Sequence, residues 1–193
     1  MNAESQQPAN PGLKTRLVEV ATELLARPRD MKLPTMRAIA KSAGVAPGAA
    51  YRHFDSQDEL FLAVVTNLFG QLEVSIQKAV QSAQSSEEAI MSTCLAYATW
   101  GTQNSGGFQL LFETTDDMNL QATAQRPGVH LIDQLAVLLA SPDLPTVDDY
   151  VRATRLWTSV HGVVSLRIHK LGMTWPVALE SEIKSLVRVI LSK

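Results

Sequence analysis

Three adjacent side chains, Tyr51, Arg52 and His53, place a phenol, a guanidinium and an imidazole side by side. Groups of this kind hydrogen-bond phosphate oxygens and base edges. They lie in the stretch LPTMRAIAKSAGVAPGAAYRHFDSQDEL, residues 33–60, inside a basic region. Residues 1–54 carry eight Lys/Arg against four Asp/Glu, a net of +4, while the remainder has a net of −6 and the whole chain −2. A basic segment on an otherwise acidic chain is the electrostatic footprint of a phosphate-bearing partner. The chemistry these residues imply is recognition of double-stranded DNA.

The elements that must position them are legible nearby. Thr35 is a candidate N-cap for a helix with Met36, Ile39 and Ala40 on its apolar face. Gly44 stands where that helix must stop, since glycine takes the left-handed conformation at little steric cost. Pro47 falls in the first turn of a second helix, where its missing N–H is not needed. Ala43, Ala49 and Ala50 are small enough for the two helices to approach closely. Ser56 and Glu59 have the spacing of a capping box at the start of a third, longer helix. The pattern predicts a helix-turn-helix whose second helix carries Tyr51, Arg52 and His53. In such motifs the second helix enters the major groove. A tight αα-corner with no ligand is the simpler alternative, and the charge bias weighs against it.

The run Thr35-Met36-Arg37-Ala38-Ile39-Ala40, then Ala43-Gly44-Val45, Gly48-Ala49, Tyr51-Arg52-His53-Phe54, Ser56 and Glu59-Leu60, resembles the DNA-binding domain of tetracycline-repressor-like (TetR family) regulators. The resemblance covers about residues 13–62. It implies an all-helical dimer that pairs this domain with a divergent ligand-binding domain. By position, Thr35 and Arg37 would touch the DNA backbone or a groove edge. Pro47, Gly48, Ala49, Tyr51, Arg52 and His53 would lie on the groove face. Tyr51 and His53 would hold phosphates, and Arg52 would read a base, because a guanidinium can engage guanine at two points. Phe54 would pack in the core. The sequence departs from the family at Ala46, often Ser or Thr, and at Gln57, often Lys. Gln57 can still hydrogen-bond to DNA but brings no charge, so DNA shape would carry more of the specificity.

The whole chain reads as all-α, with about nine helices. Residues 1–12 are polar, contain two prolines and form a predicted flexible tail with no apolar core for a signal peptide. Residues 13–55 form the three-helix DNA-binding domain. Residues 56–193 form the helical effector-binding and dimerisation domain. Helix one spans about 13–27, and a long helix over 56–82 links the two domains. A helix opened by Ser85 and Glu88 follows, then a break at Asn104-Ser105-Gly106-Gly107 and a short helix from Phe108 to about Thr115. The segment Asn119–Ala140 is periodic but interrupted at Pro127-Gly128. Thr146 and Asp149 cap a helix running to about Leu171, and Thr174-Trp175-Pro176 opens the last. The 146–171 helix carries apolar residues on more than one face, including Val151, Trp157, Val163 and Leu166. That excess, and the family resemblance, imply a homodimer through the two C-terminal helices.

Trp157 and His161 lie four residues apart on one face, followed by Gly162 in mid-helix. This stretch resembles the Trp–His–Gly signature of one C-terminal subgroup of the family. His161 either points into an effector pocket or hydrogen-bonds across the bundle, with Gly162 admitting a close neighbour helix; the second reading is the more economical. Candidate pocket residues are Cys94, Tyr97, Trp100, Phe108, Phe112, Met118, Trp157 and His161, each also a natural core residue. Arg126 is the only Lys or Arg between residues 79 and 151, which disfavours a strongly anionic effector. No metal or cofactor is expected. His161 and His169 are too far apart for the usual helical metal pair, and no phosphate loop or nucleophile elbow is present. Glu113, Asp116 and Asp117 read as a solvated cluster. One cysteine excludes an intrachain disulfide, and no segment reads as a membrane span, so a cytoplasmic location is expected. The expected function is a ligand-responsive, DNA-binding repressor acting on a palindromic operator. The competing class is a helical small-molecule-binding protein or enzyme with a vestigial motif.

Overall fold

The structure, a computed structural model, describes residues 12–25, 34–114 and 127–192. All regular structure among these residues is helical: α1 (Leu13–Leu25), α2 (Met36–Ser42), α3 (Pro47–Ala50), α4 (Gln57–Val80), α5 (Ser86–Gln103), α6 (Ser105–Gln109), a π-helical turn (Leu110–Thr114), α7 (Pro127–Ala140), α8 (Val147–His169) and α9 (Leu179–Leu191). The expected all-α class, with nine α-helices among the described residues, is what forms. Two compact units divide between Val64 and Val65, inside α4. The expected tail at 1–11, the end of helix one beyond Leu25 and the segment 119–126 lie outside the described residues.

The first unit is assembled by local stops around a small core. Leu17 and Ala21 of α1, Met36, Ile39 and Ala40 of α2, and Ala50, Phe54, Leu60 and Phe61 are all buried. Thr35 caps α2 by accepting the Ala38 N–H at 3.2 Å. Gly44 adopts φ 71°, and the N–H groups of Val45 and Gly44 donate to the carbonyls of Ala40 and Lys41 at 3.0 Å each. This is a Schellman stop, which satisfies the orphan carbonyls of α2. Pro47 opens α3, whose N-cap residue Ala46 makes no side-chain cap. The Lys14 ammonium lies 5.1 Å from the centroid of the Phe54 ring, joining α1 to the end of the motif.

The sequence placed Tyr51, Arg52 and His53 in the second helix of the motif. The structure ends α3 at Ala50 and puts all three in the following turn. The reason is local: the Ala50 carbonyl accepts both the His53 N–H at 3.0 Å and the Phe54 N–H at 3.1 Å, while Phe54 folds into the core. The helix is thereby closed after one turn.

In the second unit α5 packs against α7, α8 and α9. A Cβ at Gly101 would lie 2.7 Å from Val164 Cγ1 and 2.8 Å from Phe108 Cδ2, so glycine sets the approach of α5 to α8. The expected break at 104–107 shrinks to Asn104 alone. Its N–H and side-chain amide both donate to the Trp100 carbonyl, at 2.8 and 2.9 Å, and the helix resumes at Ser105. Gly106 and Gly107 are buried helix residues; a Cβ at Gly107 would meet Leu68 Cδ2 at 2.9 Å. Gly107 answers a packing demand, where the sequence suggested a loop.

Gly162 is corrected in the opposite direction. A Cβ there would meet nothing within 4 Å, so in the folded chain it admits no neighbouring helix. Gly128 does so instead, its missing Cβ leaving room for Trp157 Cζ2 at 2.8 Å.

Helix starts follow their caps with small shifts. Thr146 and Asp149 form a reciprocal capping box on α8. Ser56 and Ser85 each accept the N–H of the glutamate three residues on, but those glutamates reach one residue further back, to the N–H groups of Asp55 and Gln84. The last helix starts at Leu179 rather than at 174–176. The Arg167 guanidinium stacks 4.8 Å from the Trp175 ring and donates to the Val177 carbonyl at 2.7 Å and to Glu182 at 2.8 Å. That clamp holds the segment as an irregular strap between α8 and α9.

The sequence reading found no membrane-spanning segment, yet α4 is long and apolar enough for one by length and composition. Leu60, Phe61, Val64, Leu68, Leu72 and Ile76 are buried along one side of it, while Val74 is exposed and the span as a whole is 33% buried. The spacing is that of one helical face.

The Gly101 contact yields a direct expectation. Gly101→Ala should lower stability by about 1–3 kcal/mol through overpacking. Gly162→Ala should not destabilise, since alanine is the better helix former. Urea denaturation measures both; a loss at Gly101 no larger than at Gly162 would contradict the close approach.

Candidate nucleic-acid interface and regulatory core

The residues expected to meet DNA lie on α2, α3 and the turn that follows. Thr35, Arg37, Pro47, Gly48, Tyr51 and Arg52 are exposed, and Ala49 and His53 half-buried. Tyr51 keeps 54% of its surface accessible. Gln57 behaves differently. Its amide donates to the Pro34 carbonyl at 3.3 Å, bracing the first turn of α4 against the approach to α2. A cation missed in the sequence reading is Arg16 of α1, whose Nη2 would lie 3.7 Å from a Cβ on Gly44, beside the motif's turn. Charge counting included it, but nothing in the spacing put it next to a glycine far along the chain.

Seven of the eight residues proposed for an effector pocket are described, and Met118 lies outside the described residues. Tyr97, Phe108, Phe112, Trp157 and His161 converge as one aromatic cluster. The Tyr97 hydroxyl and His161 Nδ1 are 2.8 Å apart. His161 stacks on Phe108 with centroids 5.0 Å apart and lies 5.1 Å from Trp157. Phe112 meets the edge of His161 at 5.4 Å. Cys94 and Trp100 are buried beside this group on α5.

Burial sets the chemistry of the cluster. It raises the Tyr97 phenol well above its ordinary value, against a weaker opposing pull from Trp157. The Trp157 indole N–H is itself buried and reaches no acceptor in hydrogen-bonding geometry. The Cys94 thiol is pushed up to about 12 by burial and is a small core hydrophobe, not a nucleophile. Burial also lowers His161, outweighing the attraction of Glu113. His161 is therefore a neutral hydrogen-bonding partner of Tyr97.

Tyr97 and Phe108 are buried, whereas Phe112, Trp157 and His161 are half-buried. The space among Thr93, Cys94, Tyr97, Leu131, Trp157 and Val160 amounts to roughly 10 Å3. That is at the limit for a single water. Among the described residues, a cleft of roughly 770 Å3 lies between the end of α4, the start of α5 and α7. None of the residues proposed from the sequence lines it.

Residues 17–64 match the family described as bacterial regulatory proteins, tetR family, and residues 90–190 match the tetracyclin repressor-like C-terminal domain. The chain belongs to the TetR family. The transcriptional repressor KstR2 of Rhodococcus jostii (strain RHA1) is 33% identical over 86 residues, 42% of this chain and 41% of that one. An HTH-type transcriptional regulator of Haemophilus influenzae is 28% identical over 127 residues, 64% of this chain and 62% of that one. This chain thus spans less than two thirds of either relative. A solved structure from Rhodococcus sp. RHA1, described as a protein with unknown function, aligns with a TM-score of 0.77 at 16% identity and covers 97% of this chain and 98% of its own.

A TetR-family fold leaves one arrangement that superficially suggests hydrolysis. Ser165 Oγ lies 3.4 Å from His169 Nδ1, and His169 Nε2 lies 3.2 Å from Glu113. However, His169 Nδ1 is 2.7 Å from the Ser165 carbonyl, to which it must donate. A nitrogen already carrying that proton cannot take one from the serine. The trio ties the π-helical turn to α8 and has no nucleophile–base pair. Among the described residues no group of three or more His, Cys, Asp or Glu is placed to hold a metal ion.

The lowered pKa of His161 predicts an acid-side loss of stability. Below its ordinary value of 6.5 the unfolded imidazole binds a proton that the folded one refuses. Stability should therefore fall as pH drops below about 6.5, level off once the folded ring is also protonated, and be insensitive to this group above 6.5. Urea titrations of the wild type and His161→Gln across that pH should show a shallower loss in the variant. Equal slopes would remove His161 as the cause.

Proposed function

We propose that this TetR-family chain is a cytoplasmic, homodimeric repressor that leaves a palindromic operator when a small, mostly apolar effector binds. The observation that carries the reading is the Schellman stop at Gly44 followed by the exposed Tyr51 and Arg52, within the segment matched to the family's DNA-binding part. The domain division we adopt is a tail at 1–12, a DNA-binding domain at 13–55 and a regulatory domain at 56–193. The repressor name of KstR2 supports the sign of regulation. Exposed Val151 and Leu166 on α8 and Val189 on α9 support a dimer through these two helices. Trp157, His161 and Gly162 are consistent with the Trp–His–Gly subgroup.

In this reading Tyr51 and His53 hold phosphates, Thr35 and Arg37 contact the backbone, and Arg52 reads a base. Pro47, Gly48 and Ala49 let the backbone of α3 approach the groove. Gln57 acts first as a brace for α2, and a direct DNA contact would require it to release Pro34. Two motifs in a dimer would occupy successive major grooves roughly 34–36 Å apart. Effector binding acts by favouring a dimer state in which that spacing no longer fits. Phe112, Trp157 and His161 are half-buried, so an effector meets these rings first, and Tyr97 and Phe108 lie buried behind them.

Mobility-shift titrations against DNA flanking the gene, at several salt concentrations, test the proposal. Specific binding with a steep salt slope is expected. Tyr51→Ala should weaken binding to all sequences alike. Arg52→Ala should cost about 1–3 kcal/mol and relax preference at one base position. No specific binding at any salt would reject the reading and leave a helical ligand-binding protein. An unchanged sequence preference in Arg52→Ala would reject its base-reading role.

A further inference from the structure

The cleft in the regulatory unit has a floor and a rim of different character. Ile76 of α4 and Thr93 of α5 form its buried floor, 5% and 3% accessible. Val80, Ala89 and Leu138 add apolar walls. A volume of roughly 770 Å3 is in the range that holds a drug-sized molecule. Thr93 also borders the small void beside Tyr97 and Trp157, so one residue separates the cleft from the aromatic cluster. The Thr93 hydroxyl is spent on the Ala89 carbonyl at 2.8 Å and offers no free donor.

Among the described lining residues the formal charge is negative. Asp133 is its only charged lining residue, exposed and without an ion pair among the described residues. His130, three residues earlier on α7 and on the same face, lies 2.9 Å from Glu73 of α4, with the Gln134 amide 2.8 Å from the same ring nitrogen. The C-terminal end of α4 at Val80 also faces the cleft, and a helix C-terminus favours cations. The opposing feature is the start of α5 at Ser85 and Ser86, whose dipole favours anions. It is already answered: Ser85 caps Glu88, and Glu87 and Glu88 stand in the first turn. The basic residue nearest in sequence on α4, Lys78, is exposed and outside the lining.

We infer that this cleft is a ligand site for a monocationic amphiphile, an alkyl or aryl body carrying one ammonium group. The apolar body lies over Ile76, Val80 and Leu138, and the ammonium faces Asp133. The inference rests on the reading of the chain as a ligand-responsive regulator. It adds the location of the site and the charge of the effector. A carboxylate or phosphate ligand meets Asp133 and the acids of α5 and is disfavoured.

Calorimetric titration of the full-length, DNA-free chain tests this with three probes of equal chain length: octyltrimethylammonium, octanol and octanoate. The ammonium should bind roughly threefold to tenfold tighter than octanol, as expected for one exposed charge pair, and octanoate weakest. Asp133→Asn should erase the difference between ammonium and alcohol. Val137→Trp, at a 54% exposed rim position where folding tolerates change, should weaken all three. Octanol or octanoate binding as tightly as the ammonium would overturn the inference. So would a preference that survives Asp133→Asn, or affinities unmoved by Val137→Trp. Because no DNA is present, failure here leaves operator binding intact as a separate result, and failure of operator binding leaves this site intact.

Discussion

The second unit depends on how closely α5 can approach α8. Gly101 permits that approach, since any Cβ there would collide with Val164 and Phe108. Once the helices are this close, Tyr97 and His161 meet across the gap and satisfy each other's polar atoms. A buried phenol or imidazole without such a partner would be costly. The aromatic rings of Phe108, Phe112 and Trp157 then close around the pair. Gly107 against Leu68 and Gly128 against Trp157 extend the same device to α4 and α7.

A cleft opens at the edge of this unit, toward the end of α4. The space between α5 and α8 is consumed by rings. Toward the end of α4 the lining shortens to Val80, Ala83 and Ala89, and small side chains leave volume unfilled. Tyr97 and His161 satisfy one another, whereas Asp133 at the cleft faces solvent.

The DNA-binding unit is governed by a different constraint, the left-handed residue Gly44. Its φ of 71° lets the chain reverse after α2 and begin α3 within a few residues. The stop is made by backbone hydrogen bonds, so it needs little from distant residues. Phe54 and the Ala50 carbonyl then end α3 after one turn and turn Tyr51 and Arg52 outward. Gln57 and Lys14 hold the ends of the motif by side-chain contacts across the unit.

What the sequence determined by itself is what local chemistry determines. Apolar spacing marked most of the helices, and Thr35, Ser56, Ser85 and Thr146 marked starts, because caps act over three or four residues. Gly44 and Pro47 located the motif for the same reason. Tertiary structure decided the rest. Gly106 and Gly107 resembled a loop until the nearness of Leu68 gave Gly107 a packing role, and Gly162 resembled a packing glycine until its surroundings proved open. The start of α9 depended on Arg167 reaching Val177 and Glu182. Gln57 read as a DNA contact, and its bond to Pro34 comes from a residue 23 positions away. The aromatic residues were visible in the sequence, but whether they enclose a void or fill one depends on interhelical distance. Steric fit between distant segments sets that distance, and no local pattern encodes it.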